Sequence, residues 1–391
     1  MAGKDGCAAV TEQEQQEALA LLKDFLAIPT VNSVDDEGAL ARHIARCIQN
    51  AGIPCTLQAI DGKRSNVVAE LEGASPETVV LCGHLDTVPY GNLDEWDTPP
   101  SEPVLSGNRL FGRGASDMKS GLAAMVFALV KLAREGVRPQ SCLRFIGTAD
   151  EEKTGLGAQA AVAGGLMRGA KALLIAEPTN GDLGTAGKGC LWLRFRVQGN
   201  TAHAAYPAEG SSAVEGALKI RDAVRAYAER FSAPLLGGPT VTITGIHAGI
   251  ANNMVPDACD LLLDIRTVPG MEHPAFFRHL ETVLEQLRTG SPACRAELEV
   301  LGDRIPVGVP EGHPLVRAFT GLVQRAAGET PGLTGIHFFS DASILVRDCP
   351  DIPVLLFGPG DQRLAHKPNE SVDIGLYFKA IDVYYEACRQ L

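Results

Sequence analysis

The chain has no excess of basic residues. Its 35 Lys and Arg are outnumbered by 47 Asp and Glu, for a formal charge of −12. An acidic balance disfavours nucleic acid and anionic membrane as partners and favours solubility. It has no run of 18 apolar residues, so no membrane span is expected. Met1 to Thr11 contains no apolar core of the kind a secretory signal needs. A cytoplasmic protein is therefore expected, with Cys7 not a lipid-anchor site. None of the ten cysteines stands in a C-x-x-C pair. Several lie in apolar strand-like runs, such as Cys82 in Val79-Val80-Leu81-Cys82-Gly83, and read as small buried hydrophobes in a reducing compartment rather than zinc thiolates. The glycines around 112–114 are not followed by G-K-[ST], and the aspartate that follows them would repel phosphate, so they do not form a phosphate loop.

What the chain does have is length and apolar content. At 391 residues and 45% hydrophobic, it exceeds what one core usually serves, so two domains are expected. The first third alternates signals. Helical spacing runs over Glu12–Leu26, Glu37–Ala51 and Asp117–Arg134, and strand-like runs over Asn66–Leu71, Thr78–Cys82, Ser141–Thr148 and Ala172–Ala176. That alternation predicts an α/β fold with a central, mostly parallel sheet. After Gly184 the pattern changes. Strand Leu191–Val197, helix Ser212–Phe231, strands Thr240–Ile246 and Cys259–Ile265, helix His273–Arg288 and strand Ala296–Leu301 give the β-α-β-β-α-β order of a ferredoxin-like α+β unit. The α/β pattern then resumes with a helix after Pro314, a strand at Ile352–Phe357 and a helix at Gly375–Leu391. The expected organisation is one domain from residues 1–184 and 302–391, interrupted by an inserted domain over 185–301.

Five metal-type side chains lie in short motifs along this frame. They are His84 in Gly83-His84-Leu85-Asp86, Asp117 after Gly112-Arg113-Gly114-Ala115-Ser116, Glu152 in Asp150-Glu151-Glu152, Glu177 in Ala176-Glu177-Pro178-Thr179, and His366 in Ala365-His366-Lys367-Pro368-Asn369-Glu370. Two imidazoles and three carboxylates suit zinc, cobalt or manganese better than calcium or magnesium. Several close expected strands of an open α/β sheet, where ligands gather. Residues two apart on an extended chain point the same way, so the Asp86 carboxylate is expected to accept the second ring N–H of His84. Asp117, at an expected helix start, can offer one oxygen to each of two metals or cap the helix. Consecutive side chains diverge, so Glu152 can face a metal while Glu151 faces an attacking water as general base. Taken singly, each has an ordinary structural role open to it: core histidine, helix cap, solvated acidic loop or surface loop histidine.

The order and flanks of these motifs resemble the M20 metallopeptidase family of acetylornithine deacetylases, succinyl-diaminopimelate desuccinylases, aminoacylases and glutamate carboxypeptidases, from about Glu12 to the C-terminus. The resemblance implies a zinc-exopeptidase-type catalytic domain carrying an inserted lid and dimerisation domain. It implies two divalent ions, zinc first, with cobalt or manganese as alternatives. One would be held by Asp117, Glu152 and His366, the other by Asp117, His84 and Glu177, with Glu151 as base and Asp86 supporting. In the inserted domain, Thr201-Ala202-His203-Ala204-Ala205-Tyr206-Pro207 resembles the segment whose histidine crosses a homodimer to the oxyanion. Asn252-Asn253-Met254-Val255-Pro256-Asp257 and Asp264-Ile265-Arg266 resemble the segments that hold a substrate carboxylate, and Arg266 suits bidentate binding. Ser340 is expected at the pocket, and His337 is a further candidate contact. The implied substrate is a small N-acyl amino acid or dipeptide. Gly187-Lys188-Gly189 and Gly358-Pro359-Gly360 look more like the deacetylase branch, with desuccinylase and small dipeptidase as alternatives. A non-catalytic binding protein of the family is the reading from another class. It is expected to have lost a ligand or the base, and all are present here.

Overall fold

The computed structural model describes residues 9–290 and 292–391, and Cys7 lies outside them. The chain divides into two compact units. The large one runs to Ala186 and takes in Gly308–Ile336 and Ser340–Leu391; the small one is Gly187–Val307 with His337–Phe339.

The sheet of the large unit is parallel at its centre, where Ser141–Thr148, Ser75–His84, Ala170–Ile175 and Val354–Leu356 lie side by side in that order. Ser65–Leu71 pairs antiparallel on one side and Leu183–Gly187 on the other. The central strands are apolar along almost their whole length, as strands covered on both faces must be. One cover is the helix Lys119–Arg134, almost entirely buried. Its Gly121 is required by a close approach, since a Cβ there would stand 2.2 Å from the Ala176 carbonyl oxygen. The helix therefore presses on the turn that carries Glu177. It begins at Lys119 rather than at Asp117, because Met118 (φ −131°) is not helical, so Asp117 sits on the approach to the helix and does not cap it. Lys119 is buried and its Nζ donates to the carbonyls of Phe25 (3.0 Å) and Ile28 (2.8 Å). It thereby gives donors to carbonyls at the C-terminal end of Glu12–Ala27.

Register aligns the ends of the parallel strands. His84 pairs with Thr148, and Cys82 with Ile175, so the residues that follow Thr148 and Ile175 emerge beside His84. The Glu12–Ala27 helix and most expected strands lie within a few residues of their predicted bounds. A three-stranded antiparallel sheet of Val104–Ser106, Arg109–Phe111 and Ser371–Asp373 was not anticipated. Its members are too short to show a period.

The small unit is a four-stranded antiparallel sheet in the order Thr240–Ala248, Ala258–Thr267, Gly189–Gln198, Arg295–Arg304, with helices Ala213–Ala228 and His273–Thr289. This is the ferredoxin-like α+β arrangement the sequence predicts. Leu191, Leu193, Phe195 and Val197 alternate onto one face and pack with Ala217, Ile220, Val224, Phe276 and Leu280 of the helices. Trp192, Arg194 and Arg196 take the other face. The last strand runs on past Leu301 to Arg304, through a bulge between Val300 and Gly302.

Candidate metal centre

His84 is the last residue of its strand and is buried. Its Nδ1 donates to the backbone carbonyl of Asp86 at 2.9 Å, while the Asp86 carboxylate stands 3.7 Å away. The expected partner is thus the right residue but the wrong group. The Asp86 carboxylate is occupied instead with the next strand's exit: Oδ1 accepts from the Glu151 amide (3.0 Å), and Oδ2 from the Glu152 amide (3.1 Å) and Asn32 Nδ2 (2.7 Å). It fixes the peptide that carries both acids. Asn32 also donates to Asp150 Oδ1 (3.1 Å), which takes Arg64 Nη1 at 2.6 Å. Asp150 adopts φ 66°, and this left-handed residue turns the chain so that Glu151 and Glu152 follow the strand inward.

With Nδ1–H given to a carbonyl, a neutral His84 ring offers only a lone pair at Nε2. That atom faces Asp117 Oδ1 at 3.1 Å. Two acceptors at this distance repel unless a proton or a metal cation stands between them. The other oxygen of Asp117, Oδ2, lies 3.4 Å from His366 Nε2, which is also 3.1 Å from both Glu152 oxygens. Asp117 thus divides its two oxygens between two imidazoles. Donor atoms of His84, Asp117 and Glu152 all lie within 4.8 Å of one another. Glu177, buried at the end of its strand, acts on the same group through its charge, coupling to Asp117, His84 and Glu152. The residues present therefore fit divalent metal ions.

The protonation balance has the same cause. Burial opposes a charge on His84, but the hydrogen bond to Asp117 and the charges of Glu151, Asp117 and Asp86 lift its pKa well above the ordinary imidazole value. Hydrogen bonds to Asp117 and Glu152 push His366 up to about 10. Burial raises Asp117, yet the two imidazoles hold it below the usual carboxylate range. Glu151 and Glu177 are driven well above that range by burial, with neighbouring carboxylates adding. Protonated imidazoles and neutral acids here do what bound cations would do better. Glu151 Oε1 is buried without a hydrogen-bond partner.

Sequence reasoning passed over Glu370 and Arg113. Glu370 Oε1 accepts from the amides of Ser116 (2.8 Å) and Asp117 (2.9 Å), and Oε2 from Arg113 Nη1 (2.6 Å). This buried pair holds the Asp117 backbone. Its signal was present, since both residues lie inside motifs noted for their neighbours. His366 sits at φ 64° and is half exposed, in a loop that Asn369 ties down by accepting from the Asp97 amide (2.8 Å) and donating to the Glu95 carbonyl (3.2 Å).

Ser340 lies in the large unit, buried, with its Oγ unpaired. His203, Asn253 and Arg266 lie in the small unit. His203 is exposed, and its Nδ1 accepts from the Ala205 amide at 3.0 Å, leaving Nε2–H as the outward donor. The Asn253 carbonyl accepts from the Ala204 amide, which ties the two segments together. Arg266 is engaged by Asp264 through Nε (2.9 Å) and Nη2 (3.1 Å).

Known proteins resemble this chain in sequence and in fold. The sequence model of the family described as "Peptidase family M20/M25/M40" matches residues 80–390. A "Probable succinyl-diaminopimelate desuccinylase" of Staphylococcus aureus (strain MRSA252) is 27% identical, with 97% of this chain and 99% of that protein covered. An "Acetylornithine deacetylase" of Photorhabdus laumondii subsp. laumondii is 29% identical over 91% of this chain and 92% of its own length. Among solved structures, the M20 family metallo-carboxypeptidase Sso-CP2 of Sulfolobus solfataricus superposes with a TM-score of 0.75 at 19% identity, covering 95% of this chain and 98% of its own. The YXEP protein of Bacillus subtilis, described as a dinuclear metal binding peptidase, does so with a TM-score of 0.67 at 16% identity, covering 97% and 100%.

Proposed function

The chain belongs to peptidase family M20/M25/M40 and is a metal-dependent hydrolase of amide bonds, and from that premise we propose that it cleaves the amide of a small N-acyl-L-amino acid with two divalent ions bound. The observation that carries this reading is the division of Asp117 between His84 and His366. His84, Asp117 and Glu177 would hold one ion, and Asp117, Glu152 and His366 the other, with zinc the first choice and cobalt or manganese alternatives. Bound there, the ions supply an acidified water and a polarised carbonyl.

The chain's own groups do the rest. Glu151 takes the proton of the attacking water on its unpartnered oxygen and hands it to the leaving amine nitrogen. Asp86 keeps Glu151 and Glu152 in place through their amides, and the Asp86 carbonyl holds the His84 tautomer. The small unit serves as lid and dimerisation domain of a homodimer. From there His203 donates Nε2–H to the developing oxyanion of the partner's site, and Arg266 and Asn253, with Ser340, hold the substrate carboxylate.

The acyl group is taken as acetyl, from the resemblance around Lys188. Desuccinylase remains the second reading, because a protein of that name aligns with almost the whole chain. Dialysis against a chelator followed by metal return tests the centre. Activity is expected to vanish and to return with Zn²⁺ or Co²⁺ at two ions per chain. The restored protein is then assayed on N-acetyl and N-succinyl amino acids and on dipeptides. Full activity in rigorously metal-free protein contradicts the whole reading, and preference for the N-succinyl substrate replaces the deacetylase reading with the second.

A further inference from the structure

Where a strand leaves a sheet its amides lose their ladder partners, and buried amides must find others. The strand Ser141–Thr148 runs into the turn that carries Glu151 and Glu152, and successive amides of that turn are taken by side chains. The Ala149 N–H donates to Asn66 Oδ1 (3.1 Å), Asp150 to Glu37 Oε2 (2.9 Å), Glu151 to Asp86 Oδ1 (3.0 Å) and Glu152 to Asp86 Oδ2 (3.1 Å). Glu37 has no part in the scheme above. It is the first residue of the helix Glu37–Asn50, 113 positions from its partner in sequence, and only 1% exposed. The carboxylate of Asp150 is itself engaged by Asn32, Arg64, Thr154 and the Leu156 amide.

The geometry gives Glu37 a specific hold. Asp150 stands at φ 66°, a left-handed conformation that residues with a side chain seldom adopt and keep only where their surroundings impose it. Peptide groups are planar, so φ and ψ of a residue are set by the planes on either side of it. The N–H of Asp150 belongs to the plane before its Cα and is held by Glu37. The N–H of Glu151 belongs to the plane after it and is held by Asp86. Release of the first plane leaves Asp150 free to turn toward the commoner right-handed or extended regions, and Glu151 is the next side chain along. The hold needs an oxygen at that reach rather than a charge. Burial first, then the charge of Asp86, push the Glu37 carboxyl up to about 8, with Asp150 adding and the Asp150 amide and Arg64 opposing. At neutral pH it is a neutral acid that accepts the amide.

We infer that Glu37 is a positioning residue for the hydrolytic reaction: together with Asp86 it locks the left-handed turn at Asp150 and so fixes where Glu151 points. The consequence for turnover rests on Glu151 being the base, as proposed above; the hold on the turn does not.

Two substitutions separate reach from charge. Glu37→Asp keeps an acid at the start of the helix, where an acid is favoured, but falls one methylene short of the Asp150 amide. Glu37→Gln keeps the reach and an acceptor oxygen and gives up the acid. Hydrogen exchange of the full chain, read by mass spectrometry over residues 149–152 with metal loaded and again after chelation, reports the hold without reference to activity. Exchange there should be about tenfold faster than wild type in Glu37→Asp in both states, the size of one lost hydrogen bond, and close to wild type in Glu37→Gln. Steady-state kinetics of the metal-loaded proteins follow, at neutral pH on the N-acyl amino acid or dipeptide that wild type prefers. In Glu37→Asp, kcat should fall about tenfold to a hundredfold at unchanged KM, because misplacing a reacting group costs turnover rather than binding. Glu37→Gln should stay close to wild type. A residue that served only the helix end or the charge balance would give the opposite order, with Glu37→Asp intact and Glu37→Gln impaired, and that order overturns the inference. So does unchanged exchange in Glu37→Asp, or faster exchange with unchanged kcat. Glu151→Gln, run alongside, keeps the two readings apart. Full turnover in it removes Glu151 as the base, while the exchange rates still decide whether Glu37 holds the turn.

Discussion

The two units bury opposite charges in excess. In the large one, Asp117, Glu151, Glu152 and Glu177 are gathered with two imidazoles. Among the described residues, the small one buries Lys188 and Arg304 and no carboxylate. One buried ion pair of the large unit is settled within the chain. Arg113 and Glu370 are both almost fully buried, 2.6 Å apart, and the remaining oxygen of Glu370 takes two backbone amides. A buried ion pair of that kind is complete as folded. The difference teaches where ligands belong. A buried charge whose partners are all present holds the fold, and one whose partners are missing awaits a ligand of the other sign.

The sharpest way to break this comparison is at Glu151, whose Oε1 is the unpartnered atom of the acidic centre. Glu151→Gln keeps the side-chain shape and the backbone amide that Asp86 holds, but cannot take a proton at neutral pH. Turnover is expected to fall about 10²–10⁴-fold, with metal content unchanged by elemental analysis. A loss under about tenfold with both ions retained means that another group is the base.

A smaller effect asks whether the machinery of the two units is completed within one chain. Dead Glu151→Gln protein is mixed with His203→Ala protein, and the subunits are allowed to exchange. If His203 acts across a homodimer, heterodimers contain one site with both residues intact. Random exchange then restores roughly a quarter of wild-type sites. A mixture no more active than the sum of its parents assigns His203 to its own chain, and a monomer at micromolar concentration by sedimentation removes the homodimer.

The charge comparison also marks what a sequence can carry. His84, Asp117, Glu152 and His366 were legible because each stands in a motif at a strand end or loop, and strand order brings such ends together. Asp86 was legible as a partner of His84, but not the group it uses. A backbone carbonyl has no residue type, so only the turn after His84 could show that the carboxylate is free to hold Glu151 and Glu152. Asn32 was invisible for a related reason. It reaches Asp86 across 54 positions of chain, and a lone asparagine in a loop looks like any turn residue. Arg304 sits at the end of a strand whose alternation faded at a bulge near Leu301, so the expected strand stopped three residues short of it.

The mildest test concerns a buried acid that the comparison must not mistake for a ligand site. Asp382, on the helix Ile374–Gln390, accepts the Val10 amide at 2.9 Å. Burial pushes its pKa up to about 6; the Val10 N–H and the charge of Lys131 oppose this, and Glu14 and Glu386 add to it. The folded value lies above that of an unfolded aspartate, near 4, so the folded state binds the proton more tightly. The stability this contributes is present in full below the unfolded pKa and is lost as pH rises through about 6. Asp382→Asn keeps an acceptor for Val10 and cannot ionise. Relative to wild type its unfolding free energy should rise by roughly 1–2 kcal/mol between pH 4 and pH 7, read by denaturant melts, with metal content and turnover unchanged. A pH-independent difference would show that Asp382 is not strained by its charge. A change in turnover would show that protonation alone does not settle this acid, and the rule that separates finished from unfinished buried charge would then fail at its simplest case.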